Sequence, residues 1–230
     1  MERKPPRRND SNPDHETVAV VLQVREGRLQ VLLWRRALAP AAGRWALPGG
    51  RLDPGETLER SIRRHLAAKV DVRELSHLEQ LETRADPKTG RVTTAYLGLV
   101  AADVDPAVPE DTRWHPLRTL PPTAFDHGAI ARAGRDRLRA KLSYTNLGFA
   151  LTPETFTISE LRDLYAAALG HEVSATNLQR VLLRRGVLAA TGERRAPGRT
   201  GGRPGSVYRF HTRRLEITDQ FAVLRPPGAS

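Results

Sequence analysis

The sequence predicts two folded units: an α/β domain, built as a mixed sheet with flanking helices, over residues 16–145, and a winged helix-turn-helix domain over residues 146–230. Three observations carry this. Up to about residue 145, runs of β-branched residues alternate with Gly/Pro turns and amphipathic helices. Beyond it, two capped helices joined by a short turn precede two strand-like runs that flank a Gly/Arg-rich loop. The charge divides the chain in the same way. Of a net +11, residues 171–214 hold ten Arg against two Glu, a net +8, and residues 1–8 hold four basic residues against one Glu, a net +3, so the other 178 residues sum to zero.

Residues 1–15, with Pro5, Pro6 and Pro13 among charged residues, predict a disordered basic arm. Strands are expected over 17–24 and 29–34, joined by a hairpin at REGR. WALPGGRLDPGET then leads from a short strand into a helix over 57–69, which places Leu58, Ile62 and Leu66 on one buried stripe. Strands over 78–83 and 92–101, a Pro-rich loop over 105–122 and a helix over 127–143 complete the first unit. In the second unit, Thr157 and Glu160 form a capping box flanked by Phe156 and Leu161 as a hydrophobic staple. The helix Ile158 to Leu169 buries Leu161, Leu164, Tyr165 and Ala168 and stops at Gly170. Ser174 caps the next helix, which buries Leu178, Val181 and Leu182 and ends at Gly186.

Composition excludes several classes. With no Cys there are no disulfides, iron–sulfur clusters, thiolate zinc sites or cysteine nucleophiles. The start MERKPPRRNDSNPDHE lacks the apolar run of a signal peptide, and no stretch of about 18 apolar residues offers a membrane span, so a cytoplasmic protein without membrane contact is expected. Among 37 basic residues only four are Lys, a bias that suits phosphate but also follows from the base composition of a coding sequence. No two of the seven His are spaced as metal ligands, and neither a Ser-His-Asp set nor a glycine-rich nucleotide fingerprint is present.

The segment Gly50 to Val72 resembles the Nudix signature, G-x5-E-x7-R-E-U-x-E-E-x-G-U with U aliphatic. Gly50, Glu56, Arg64, Leu66 and Val72 match it, and the preceding WALPGG is also typical of that family. In Nudix hydrolases this loop and helix present several carboxylates on one helical face to hold Mg²⁺ against a diphosphate. Here the three carboxylate positions are His65, Ala68 and Lys69, and the signature Gly is Asp71. An ammonium about 4 Å from a divalent ion costs roughly 8 kcal/mol at an effective dielectric near 20. A Nudix fold without catalysis or a metal site is therefore expected; an active hydrolase with relocated ligands is the alternative. Phosphate recognition survives such a loss because it needs backbone N–H groups and Arg. The candidate ligand-binding residues are Arg36, Arg44, Gly49, Gly50, Arg51 and Glu56, with Tyr96 to stack on a base.

The +8 unit carries the other constellation. With Leu178, Val181 and Leu182 inward, helical steps of 100° turn Thr176, Gln179, Arg180, Leu183 and Arg184 outward, with Asn177 at the border. Asn and Gln pair with adenine and Arg with guanine in the major groove. In the following loop, Arg194, Arg195, Arg199 and Arg203 alternate with Gly and Pro, as in a wing that lies on phosphates or enters a minor groove. Double-stranded DNA is the expected partner; preference for single-stranded RNA is a further possibility.

Both halves in this order, with LPPTAFDHGAI, FTISELRDLYAAALG, NLQRVLLRRGVL and GRPGSVYRF, resemble the Nudix-related transcriptional regulators of the NrtR family over nearly the whole chain after residue 15. The resemblance implies a homodimeric repressor of NAD-metabolism genes that binds a palindromic operator. It implies release by ADP-ribose or a related NAD metabolite acting as effector, with no cofactor required.

Overall fold

Val18 to Val24 is apolar at nearly every position and buried on both faces, and the larger sheet of the computed structural model grows outward from it. The structure describes residues 14–87, 89–196 and 204–219. Strand β1 (His15–Arg25) turns into β2 (Arg28–Arg35) through Glu26 and Gly27, both at positive φ (51° and 69°), the type I′ geometry that suits a two-residue hairpin. On its other side β1 pairs in parallel with β6 (Val92–Leu99), which pairs antiparallel with β5 (His77–Ala85). The short strands β3 (Trp45–Ala46) and β4 (Gly49–Arg51) pair with β2 and β1.

The loop expected over 105–122 contains a seventh strand, β7 (Thr112–Pro116), antiparallel to β2 with Trp114 opposite Leu32. Pro109 and Pro116 bracket this strand rather than interrupt it. A proline at a strand end forfeits no interior ladder bond, so proline density hid the element.

Strand residues of alternating parity face two layers. On one face Ala19, Val21, Leu32 and Tyr96 meet Ile62, Leu66 and Val70 of helix α1 (Leu58–Val70). On the other, Val18, Val20, Leu22 and Val31 meet Ile130, Ala131, Leu138 and Leu142 of α2 (His127–Tyr144). This second cluster does not stop at α2. It continues through Leu147, Phe149 and Phe156 into Leu161, Leu164 and Ala168 of α3 (Ile158–Leu169) and reaches Leu178 and Leu182 of α4 (Ala175–Arg184).

The C-terminal unit has the arrangement its caps predict. Thr157 accepts from the Glu160 N–H while the Glu160 carboxylate accepts from the Thr157 N–H, and Gly170 ends α3 in the left-handed conformation at φ 79°. Ser174 accepts from the Asn177 N–H to start α4. The two helices lean on a three-stranded sheet in the order β8 (Phe156–Thr157), β10 (Gly205–Phe210), β9 (Leu188–Arg195). The expected boundary at 145–146 falls where the chain is held from both sides. Asn146 Oδ1 accepts from the Glu216 N–H at 2.8 Å, its Nδ2 donates to the Arg214 carbonyl at 2.8 Å, and the Thr218 N–H reaches the Tyr144 carbonyl at 2.9 Å.

Candidate functional site

Thr57 caps α1 by accepting from the Arg60 N–H, and the helix it starts brings residues 65 and 69 to the sheet edge at β4 while Ala68 is exposed. His65 is buried and its Nε2–H donates to the Arg51 carbonyl at 2.9 Å, while burial pushes its pKa down and favours the neutral ring. The ring lies against Gly50: a Cβ added there would stand 2.5 Å from His65 Cε1, so only glycine lets the loop pass. Lys69 Nζ donates to the Gly49 carbonyl at 2.6 Å and sits 4.6 Å from the centre of the Trp34 ring. Burial, then Arg36, lowers the Lys69 pKa. Asp71, in place of the signature glycine, holds the left-handed conformation at φ 51° and so preserves the turn that ends α1.

Glu56 is fully engaged. Arg64 clamps both carboxylate oxygens, at 2.9 and 2.7 Å, and the Asp53 N–H donates to Oε2 at 3.3 Å. Chiefly through Arg64, the carboxyl is held down at about 2. Glu56, Arg64, Asp53 and Arg60 line an open depression of about 520 Å³ beside this loop. Among the described residues, no three His, Cys, Asp or Glu side chains are placed to hold one metal ion. The donor chemistry of the region is thus that of a cation, a neutral imidazole and two carboxylates, Glu56 and Asp53, both paired with Arg64, which does not fit a divalent ion.

The other candidates take distinct positions. Arg36 and Arg44 close a loop through Arg36 N–H to Arg44 carbonyl (3.0 Å), and the Arg36 guanidinium lies 5.1 Å from the Phe125 ring centre. Arg51 is exposed and paired with Asp14 at 2.8 Å. Tyr96 departs from expectation. It is packed under α1 with Ile62 and Leu66 at 6% exposure, and its β6 position turns it inward, so its face is not open to a base. Three further residues stand beside the loop with the candidates: Trp34 and Lys69, stacked on each other, and the half-exposed Phe125 under Arg36. Trp34, the last apolar residue of LQVLLW, packs on the core under α1 and donates its indole N–H to the Leu47 carbonyl at 3.1 Å, so one end of it is core and the other faces the loop.

Beneath the loop, the Leu47 N–H donates to His127 Nδ1 at 3.0 Å. Burial pushes the His127 imidazole down to about 4; Asp126 opposes this and Arg36 adds to it. The unfolded chain therefore binds the proton that the folded one excludes. Stability from this group is complete above about pH 6.5 and falls as pH drops towards 4, by up to about 3 kcal/mol. Denaturant midpoints at pH 7 and 4.5 should show that slope in the parent chain and a flattened one in His127→Gln. Equal slopes in both would refute a buried neutral histidine.

On α4, Thr176, Asn177, Arg180, Leu183 and Arg184 are exposed along one face. Arg180 Nη2 donates to Asn177 Oδ1 at 2.7 Å, so these two present a joined polar surface. Gln179 is half-buried, its Nε2 donating to the Tyr208 hydroxyl at 3.0 Å, which ties α4 to β10. Two wing residues also depart from expectation. Arg194 and Arg195 lie on β9 rather than in the loop, opposite Ser206 and Gly205. Arg195 is bound to Glu160 (2.9 and 3.1 Å) and Thr155 (3.1 Å), bracing the α3 capping box. Arg199 and Arg203 lie outside the described residues.

Comparison with known proteins follows the same division. Residues 13–133 match the NUDIX domain and residues 148–210 the NrtR DNA-binding winged helix domain. An ADPR responsive transcriptional repressor, NtrR of Acinetobacter baylyi, is 31% identical over 201 residues, covering 83% of this chain and 79% of its own. The crystal structure of Shewanella oneidensis NrtR complexed with a 27mer DNA superposes with a TM-score of 0.73 at 32% identity, covering 85% of this chain and 92% of that one. A MutT/nudix family protein from Enterococcus faecalis shares the fold at 24% identity and a TM-score of 0.71, with 88% and 90% covered. Among the described residues no helix is long and apolar enough to cross a membrane.

Proposed function

The chain belongs to the NrtR family, and on that premise we propose that it is a DNA-binding transcriptional repressor of NAD-metabolism genes whose Nudix domain senses ADP-ribose or a related NAD metabolite without hydrolysing it. The observation that carries the reading is the exposed face of α4, where Thr176, Asn177, Arg180 and Arg184 stand in a chain end of net +8. Such a face offers donors and acceptors to base edges while the surrounding arginines meet phosphate. The Acinetobacter relative is by name ADPR-responsive and the Shewanella relative is seen with DNA, which supports both halves of the proposal.

Two copies of the chain on a palindromic operator would place their α4 helices in half-sites one or two helical turns apart. A ligand that favours another dimer geometry lowers DNA affinity, and DNA must lower ligand affinity by the same factor. Loss of the carboxylates at 65, 68 and 69, with Glu56 held by Arg64, supports sensing without turnover and without a required cofactor.

The test is an operator titration at fixed salt. Saturating ADP-ribose is expected to weaken operator binding about 5- to 150-fold, with no ADP-ribose consumed in Mg²⁺ or Mn²⁺. Unchanged affinity removes the sensor role, and turnover abolished by Glu56→Gln identifies a hydrolase.

A further inference from the structure

A second cavity, of about 900 Å³, opens where the two units meet, away from the Nudix loop. Arg28 of the β1–β2 hairpin, Arg118 after β7, and Arg135 and Arg139 of α2 converge on it. Opposite them stand the end of α3 and the α3–α4 turn, from Ala166 to Glu172. We propose that this cavity binds a small phosphorylated metabolite, with its phosphate groups held by the four arginines.

The charge around the cavity is incompletely neutralised. Arg118 Nη2 donates to the Gly170 carbonyl at 2.7 Å and Arg139 Nε to the Ala168 carbonyl at 3.2 Å, so both guanidiniums are set on the negative end of α3 with donors to spare. Neither they nor Arg28 has a carboxylate partner among the described residues. Arg135 pairs with Asp136 at 2.8 Å, and of the two lining acids Asp163 is taken by Arg162 at 2.6 Å while Glu172 is exposed in the α3–α4 turn on the opposite wall, which leaves four arginines against one open carboxylate. Arg139 feels the crowding: burial and then Arg135 lower its pKa, with Asp136 opposing and Arg118 adding. A phosphate relieves that repulsion through charge-assisted, bidentate bonds. Leu29, Leu117 and Ala167 give the same cavity an apolar wall, and its volume is that of sites for ligands of nucleotide size. Because one wall comes from the sheet and the other from the helix-turn-helix, occupancy stabilises one placement of α3 against α2.

Inorganic pyrophosphate is the probe, titrated calorimetrically into the full chain without DNA, with hydrogen exchange locating the contact. Binding should slow exchange over residues 168–172. Arg28→Ala/Arg135→Ala, which leaves both carbonyl bonds to α3 intact, should weaken binding at least tenfold with an unchanged unfolding midpoint. The proposal fails if that variant binds as the parent does. It fails equally if protection appears only over 36–51 and is lost in Arg36→Ala, since the anion then sits at the Nudix loop. If the double variant instead loses affinity and salt dependence for duplex DNA while pyrophosphate produces no heat in either chain, the arginines serve the DNA backbone and the proposal is overturned.

Discussion

Arg180→Ala is expected to lower affinity for an operator selected from random duplexes about 10- to 100-fold, while binding to a mixed-sequence duplex changes by twofold or less. The asymmetry follows from position. Arg180 is exposed in the middle of α4, nearly two turns beyond the Ser174 N-cap, and its guanidinium is steered by Asn177 at 2.7 Å rather than neutralised by a carboxylate. A bidentate contact from such a residue to guanine discriminates by about 1–3 kcal/mol, whereas a phosphate contact weakens all sequences alike. Competition binding at one salt concentration separates the two. A uniform loss across sequences would place Arg180 on the backbone and move sequence reading to other residues of the face.

The second large effect is on stability. Phe149 is 1% exposed, lies between the sheet and the C-terminal unit, and meets His77 and Phe210 edge-on at centroid distances of 6.4 and 6.5 Å. Arg213 covers its ring at 5.9 Å while donating to the Thr152 and Pro153 carbonyls. Phe149→Ala should cost about 3–5 kcal/mol, because the residues around the void belong to different elements and cannot all move in. Since the cluster containing Phe149 runs without a break from β1 to α4, the loss should lower one cooperative transition rather than release the C-terminal unit alone. Chemical denaturation followed by Trp fluorescence, which reports only the first unit, and by far-ultraviolet dichroism, which reports both, checks this. Separate midpoints would show two independently stable units.

Elements with local signals were the most legible in the sequence. The Thr157–Glu160 capping box, the Gly170 stop and the buried quartet Leu161, Leu164, Tyr165 and Ala168 are decided within a few residues, and α3 has those bounds. β7 is hidden because its ladder partner, β2, is distant in sequence and local composition points to a loop. The departures among the candidate sites have the same origin. Tyr96 is turned inward by the register of β6 against α1, and Arg195 is captured by Glu160, 35 residues away, so neither is decided by neighbours in sequence. Conversely, the substitutions at 65, 68 and 69 were readable, but not that His65 and Lys69 would become fastenings for the Arg51 and Gly49 carbonyls.

Those fastenings bear on what substitution could make of the cleft. A glutamate at 65 would remove one of the two donors to the Arg51 carbonyl, leaving Arg64 Nη2 at 3.2 Å, and would set a carboxylate beside that carbonyl oxygen. Restoring one at 69 would set a carboxylate against the Gly49 carbonyl and take the cation from the Trp34 face. Either substitution loses an existing bond before any ion could be held, and Glu56 would still be bound to Arg64. A return to metal chemistry must therefore cross several unfavourable steps together. With this lysine and this histidine securing the loop itself, single substitutions can refine the cleft for recognition more readily than they can build a metal site in it.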